Sequence, residues 1–214
     1  KQLKRHDKMQ QEFINIAAHE LRTPVQPIIA MTEMLSAYPI TTELGKNEQQ
    51  DIMVKWEDLK IIGRNAARLE RLSSDILDVS RIESGSLRLN MEKFDINMFV
   101  NEAIDDAKRH IDIEDVKITC DGAKNPPYVE ADKDRMTQVL ANLLNNAIRF
   151  TKPSATVSIG VHSCESKVNV MVTDTGSGIP LDILPKLFTK FSSSLRSGSG
   201  TGLGLFISKA IIEA

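Results

Sequence analysis

Cysteine is almost missing from this chain: Cys120 and Cys164 are the only two in 214 residues. They are too few and too far apart for a disulfide framework or a metal cage, so a reducing compartment is expected. A surplus of one charge sign is missing too. The formal net charge is −2, which gives no electrostatic reason for bulk nucleic-acid binding, and no nucleic-acid partner is expected. Long apolar runs are also lacking. None approaches the ~20 residues that a membrane-spanning helix needs, and no secretory signal is visible. A cytoplasmic location follows as an expectation.

What is present suits a folded domain. The hydrophobic fraction of 41% and charged fraction of 26% are those of an ordinary globular protein. The chain opens on Lys1 rather than Met, so it is expected to be a piece of a longer protein, with an upstream sensor or transmembrane module before it.

Two halves differ in texture. From Met9 to about Ser84 the pattern is helical with heptad spacing. Ile14, Leu21, Ile28 and Leu35 recur every seventh residue, with Ala17, Pro24 and Met31 between them. Such a narrow apolar stripe is buried in bundles and coiled coils. Pro39 and Gly45 break the pattern between Tyr38 and Lys46. A second helix is expected from about Asn47, with Gln50 completing a weak capping box. It carries Ile62, Leu69 and Ile76 at heptad spacing, with Leu72 and Val79 beside them, and tolerates Gly63 at a cost of about 1 kcal/mol. Gly85 stands where a left-handed residue closes a helix. A hairpin of two long helices leaves apolar surface uncovered, so a homodimer forming a four-helix bundle is expected through residues 11–85, with residues 1–10 as a helical lead-in.

After Ser86 short strand-like stretches alternate with helical ones. The strand candidates are "SLRLNM", "VKITCDG", "YVEA", "ATVSIGVHS" and "SKVNVMVTDT"; the helical ones are Asn97 to Ile111, Lys133 to Arg149 and Leu203 to Glu213. Strands and helices outside a strict βαβ rhythm suggest an α+β sandwich over residues 86–214, with helices covering one face of a sheet.

Within "NIAAHELRTP", His19 falls away from the apolar stripe and should project into solvent. Lone helical histidines are usually unremarkable surface groups, but three neighbours change the reading. Glu20 can hold one imidazole nitrogen and leave the other as a free lone pair. Thr23 lies four residues on, on the same helical face. Pro24 removes a backbone N–H and crowds the carbonyl of Glu20, at about 3 kcal/mol or more, so a local opening or kink is expected beside His19. An oriented nucleophile next to a loosened helix looks like a covalent-transfer site, although the stretch does not name the reaction.

The second half carries three further stretches. "DTGSGIP" ends a strand with the Asp174 carboxylate and places Gly176 and Gly178 where a backbone can pass close to a flat ligand; alone it could equally be a turn with a capping aspartate. "GSGTGLGLFI" is a glycine-rich loop opening a helix, an anion site by its free N–H groups. Its glycines match neither the Walker nor the dinucleotide-binding spacing. "QVLANLLNNAIRFT" is an amphipathic helix with Asn142, Asn146 and Arg149 on one face. Amide oxygens there can serve Mg²⁺, and the arginine can reach phosphate oxygens.

Taken together and in this order, these stretches strongly resemble the sensor histidine kinases of two-component systems. "FINIAAHELRTPVQPI" is similar to the H box, "NLLNNAIRFT" to the N box, "DTGSGIP" to the G1 box, "LFTKF" to the F box and "GTGLGLFI" to the G2 box. "DILDVSRIESGSL" resembles the end of the second dimerisation helix. The resemblance covers nearly the whole chain. It implies a helical hairpin that dimerises and accepts phosphate, followed by a catalytic domain of the Bergerat ATPase type, an α+β two-layer sandwich. By that resemblance His19 is the phospho-acceptor, Glu20 takes its proton or holds its tautomer, and Thr23 positions the water that dephosphorylates a response regulator. Asn146 is the principal Mg²⁺ ligand, with Asn142, Arg149 and Phe150 near the nucleotide. Asp174 accepts from the adenine amino group, bordered by Gly176, Gly178 and Ile179. Phe188 and Phe191 anchor a lid, and Gly200, Thr201, Gly202, Leu203 and Gly204 face the phosphates. ATP and Mg²⁺ are the implied cofactors. The implied partners are a second copy and a response-regulator receiver domain.

The same resemblance marks three departures: a short segment between Phe191 and Gly200, Ser199 in place of a glycine, and an end at Ala214 where closing strands are expected. Two other readings stay open, a Bergerat-fold ATPase that hydrolyses ATP for conformational work and a catalytically degenerate dimeric scaffold.

Overall fold

The computed structural model describes residues 2–36, 55–110, 116–123, 128–152, 155–164, 167–192 and 201–214. The chain divides into two compact units, Lys1–Asp78 and Val79–Ala214.

The first unit is helical. α1 runs from Gln2 to Ser36 and α2 from Trp56 to Glu83, the end of α2 passing into the second unit. α1 continues through both Pro24 and Pro27. Each proline lacks the N–H that would reach four residues back, so the carbonyls of Glu20 and Thr23 lose their helical donors. Ala17 and Pro24 on α1 and Leu72 on α2 are buried. Ile14, expected within the seam, is half exposed in the single chain, as are Ile29 and Met34; Trp56, Leu59 and Leu77 add exposed apolar surface on α2. The expected break between Tyr38 and Lys46 and the helix start at Asn47 with Gln50 lie outside the described residues.

α2 ends as its sequence requires. Gly85 takes φ +65°, a conformation that costs an L side chain but not glycine. Ser86 N–H donates to the Arg81 carbonyl at 2.9 Å and Gly85 N–H to that of Ile82 at 3.1 Å. That pair of bonds is the Schellman closure, which satisfies carbonyls the helix leaves open.

The second unit is an α+β sandwich. β1 (Glu92–Asp95) pairs antiparallel with β3 (Tyr128–Ala131) as a small two-stranded sheet. β2 (Lys117–Asp121), β4 (Thr156–Cys164) and β5 (Lys167–Asp174) form a second sheet in the order β2-β4-β5. β4 and β5 are the antiparallel neighbours their patterns suggest, whereas the parallel β2–β4 pairing carries no local signal. "SLRLNM" forms no strand; the ladder begins at Glu92. The physical reason lies at Asp132, whose carboxylate accepts the Asn90 N–H at 2.8 Å. A backbone donor tied to a side chain is unavailable to a neighbouring strand.

Val157, Ile159 and Val161 alternate along β4 toward the core, where they meet Phe99, Val100, Ala103 and Ile104 of α3 (Ile96–His110) and Leu140, Leu144, Ala147 and Ile148 of α4 (Lys133–Phe150). Period two on the strand and near 3.6 on the helices is what a sheet covered on one face by helices requires. α5 (Gly204–Glu213) packs on α4 and buries Leu203, Ile207 and Ile211. Asp132 caps α4: its Oδ1 accepts the Arg135 N–H at 3.0 Å while Oδ2 holds Asn90. Burial works against this carboxylate's charge, but the backbone donors of Arg135 and Asn90 and the Arg135 guanidinium outweigh it, so its pKa lies below the ordinary aspartate value.

Candidate functional site

Two groups of residues are defined, one in each unit. On α1, His19 is an exposed side chain, with 75% of its surface open to solvent. Its Nδ1 lies 3.9 Å from Oε1 of Glu20. That is an electrostatic contact, longer than the hydrogen bond the adjacency suggested. The other Glu20 oxygen, Oε2, accepts from the Arg68 guanidinium of α2 at 3.3 Å. Thr23 lies on the same face, and its hydroxyl donates to the His19 carbonyl at 3.0 Å, a back-bond common for threonine inside a helix. In the Nδ1–H tautomer the lone pair of His19 is on Nε2, the nitrogen not in the Glu20 contact.

In the second unit α4, α5 and the end of β5 bring together most of the remaining residues. Asn142 Nδ2 donates to Ser208 Oγ of α5 at 2.9 Å, and Asn142 Oδ1 accepts from Asn146 Nδ2 at 3.4 Å. The two asparagines therefore differ. Asn142 has its amide committed to tying the helices together, while Asn146 keeps Oδ1 without a partner among the described residues. A free amide oxygen on a half-buried helix face is the hard, neutral donor that Mg²⁺ accepts beside phosphate oxygens. Arg149 lies with its guanidinium carbon 5.1 Å from the centre of the Phe150 ring.

The glycines shape the space. A Cβ on Gly204 would come within 2.2 Å of Asn142 Oδ1, and one on Gly176 within 2.4 Å of the Phe150 carbonyl oxygen. Neither position can carry a side chain without displacing its neighbour. Gly178 and Gly202 adopt φ of +69° and +67°, in the left-handed region glycine enters freely. Asp174 ends β5 with an exposed carboxylate; its Oδ1 accepts the Gly176 N–H at 2.8 Å, and Oδ2 has no partner among the described residues. The Ser177 N–H donates to the Phe150 carbonyl at 3.3 Å, linking this turn to the end of α4. Ile179 and Phe188 are exposed, whereas Phe191 is half-buried with φ +57°, an uncommon conformation for an aromatic residue. Thr201 Oγ1 accepts the Leu203 N–H at 3.3 Å just ahead of α5, and Leu203 is fully buried. Gly200 lies outside the described residues.

Three contacts have no counterpart in the sequence patterns: Arg68 on Glu20, Ser208 on Asn142, and Lys190, which pairs with Glu83 and lies 5.4 Å from the Phe206 ring centre. Each joins residues far apart in the chain, and only for Ser208, one turn into a helix already assigned to the site, did the sequence offer a signal.

Residues 9–85 match the His Kinase A (phospho-acceptor) domain, and residues 131–214 match the histidine kinase-, DNA gyrase B- and HSP90-like ATPase. A sensor protein kinase WalK of Staphylococcus aureus is 30% identical over 97% of this chain, which corresponds to 49% of that protein. The chain thus spans about half the length of that relative, and a third of several others. Among solved structures, the Acinetobacter baumannii histidine kinase AdeS is 27% identical with a TM-score of 0.66, over 91% of this chain and 86% of that one. Histidine kinase ThkA, solved in complex with the response regulator protein TrrA, is 26% identical with a TM-score of 0.66, over 98% of this chain and 56% of that one. A phospho-acceptor domain and a histidine-kinase ATPase domain, in that order on one chain, make it a member of the sensor histidine kinases of two-component systems.

Proposed function

We propose that this chain is the kinase core of such a protein, moving the γ-phosphate of ATP to His19 and from there to an aspartate of a response regulator. The observation that carries the reading is the exposed His19 imidazole with its Nδ1 turned to Glu20. Phosphoryl transfer asks the protein mainly for positioning and for charge neutralisation. Glu20 favours the tautomer with hydrogen on Nδ1 and offsets the positive charge that develops on the ring. Nε2 forms the new N–P bond as the bond to ADP breaks, and the ring proton leaves toward Glu20. The Oδ1 of Asn146 would hold Mg²⁺, which would supply charge neutralisation on the phosphates. Asp174 Oδ2 accepts from the adenine amino group, and the N–H groups around Gly202 and Gly204 at the start of α5 receive phosphate oxygens.

The apolar residues left exposed on both hairpin helices support a homodimer through residues 11–85. Among the described residues no helix is long and apolar enough to cross a membrane; the sensor or anchor is assigned to an upstream module. Thr23, beside His19, is the residue to position water if the protein also dephosphorylates its regulator. The test is to incubate the protein with labelled ATP, compare it with His19→Gln, and offer receiver domains to the labelled product. Acid-labile, base-stable label that moves to a receiver aspartate is expected from the wild type, and none from the variant. Free phosphate with no protein label would favour an ATPase.

A further inference from the structure

The carboxylate beside His19 is shared between two helices. One oxygen of Glu20 is 3.9 Å from the imidazole and the other is 3.3 Å from the Arg68 guanidinium. The two partners differ in exposure: His19 is open to solvent, while Arg68 and Glu20 each keep only about a quarter of their side-chain surface exposed. Among the described residues Arg68 makes no other hydrogen bond or ion pair. A glutamate left alone on a helix samples many rotamers, and fixing it costs side-chain entropy. A guanidinium on the facing helix, 3.3 Å from Oε2, supplies that order by a charge-assisted hydrogen bond.

We propose that Arg68 is a positioning residue for the phosphorylation of His19, acting through Glu20 by holding its carboxylate with the free oxygen beside Nδ1. The inference rests on the kinase reading and adds to it a residue on the second helix that contacts Glu20 rather than the histidine. Because the bond crosses from α1 to α2, any relative shift of the two helices changes how Glu20 meets the imidazole. A signal that moves one helix along the other therefore reaches the nucleophile through a single side-chain pair.

The experiment measures autophosphorylation rates at varied ATP for wild type, Arg68→Gln, Arg68→Lys, Glu20→Gln and the Glu20→Gln, Arg68→Gln double variant, with helicity and melting temperature recorded for each. Arg68→Gln should lower kcat by roughly three- to tenfold, a fraction of the ~10²-fold that general-base assistance supplies, and leave KM for ATP unchanged. Arg68→Lys, which keeps the charge, should recover most of that loss. In the Glu20→Gln background Arg68→Gln should have no further effect, because residues acting as one unit are not additive. A full multiplicative loss in the double variant, a change confined to KM, or Arg68→Gln at the wild-type rate while Glu20→Gln is slow would each overturn the role of Arg68. Full activity in Glu20→Gln would instead overturn the underlying role of Glu20. If Arg68→Gln unfolds, the Lys variant decides: a folded Arg68→Lys protein with no recovery of rate contradicts the proposal.

Discussion

The two units solve different problems with different parts. On α1 the site is a side chain put on display: His19 is exposed, Glu20 and Thr23 contact it, and Arg68 contacts Glu20. In the sandwich the site is a shape, made where side chains are missing at Gly176 and Gly204 and where Asn142 ties α4 to α5. A nucleophile must reach outward, so its helix needs little beyond an orienting carboxylate. A nucleotide must be enclosed and recognised along its length, so close backbone approach matters more than any one side chain. Substitutions in the sandwich should therefore act on ATP binding, and those around His19 on the transfer step.

The largest effect expected from the sandwich is that of Gly204→Ala. Its methyl carbon would overlap Asn142 Oδ1 and force the Asn142–Ser208 contact apart. Overpacking of this kind costs about 1–3 kcal/mol, so ATP affinity by calorimetry should fall roughly five- to hundredfold, while the protein stays folded. Unchanged affinity would break the claim that glycine shapes this site.

Asp174→Asn should come next. A charged acceptor for the adenine amino group contributes about 1.5–3 kcal/mol, and the preference for ATP over GTP in competition binding should shrink by roughly tenfold or more. Equal loss for both nucleotides would place Asp174 in a structural role instead.

Asp132→Ala tests the fold rather than the ligand. Loss of a capping carboxylate costs about 1 kcal/mol, read as a lower urea midpoint near neutral pH. The sign with pH follows from the carboxyl's depressed pKa. Stability from the ionised group is fully present above its unfolded-state value and is lost as pH falls through its lower folded-state value. The gap between wild type and variant should thus narrow in acid; a gap that widens would contradict the cap.

Pro24→Ala is expected to have the smallest effect, a change in the ratio of kinase to phosphatase activity. It restores an N–H donor for the Glu20 carbonyl one turn back. Equal change in both activities, or none, would remove the proline from signalling.

How much of this was legible beforehand follows the same division. The closure at Gly85 and the strand pair β4–β5 are local patterns that appear where their spacing suggests, and the heptad stripe buries Ala17, Pro24 and Leu72 but not Ile14. The core face of α4, from Val139 to Ile148, is likewise periodic and buried. The parallel β2–β4 pairing was not legible, because its partners are some forty residues apart and no turn specifies them. "SLRLNM" misled because alternation promises a strand only when a neighbour has free donors to pair. At the site, residue types marked His19, Asn146 and Asp174, but not how each is held. The spacing of Asn142 and Asn146 puts them on one face, the resemblance alone distinguishes them, and the bond to Ser208 gives the distinction a physical basis. Arg68 was invisible for the same reason: facing positions on two helices depend on a connection whose course the pattern does not give.

The most direct measurement is to locate the phosphate itself. The protein is incubated with ATP labelled in the γ position, kept alkaline, digested and sequenced by mass spectrometry. The account predicts phosphate on the imidazole of His19, within the peptide that carries Glu20, and its disappearance after brief acid treatment. Stoichiometric phosphate on any other residue, with His19 unmodified, would contradict it.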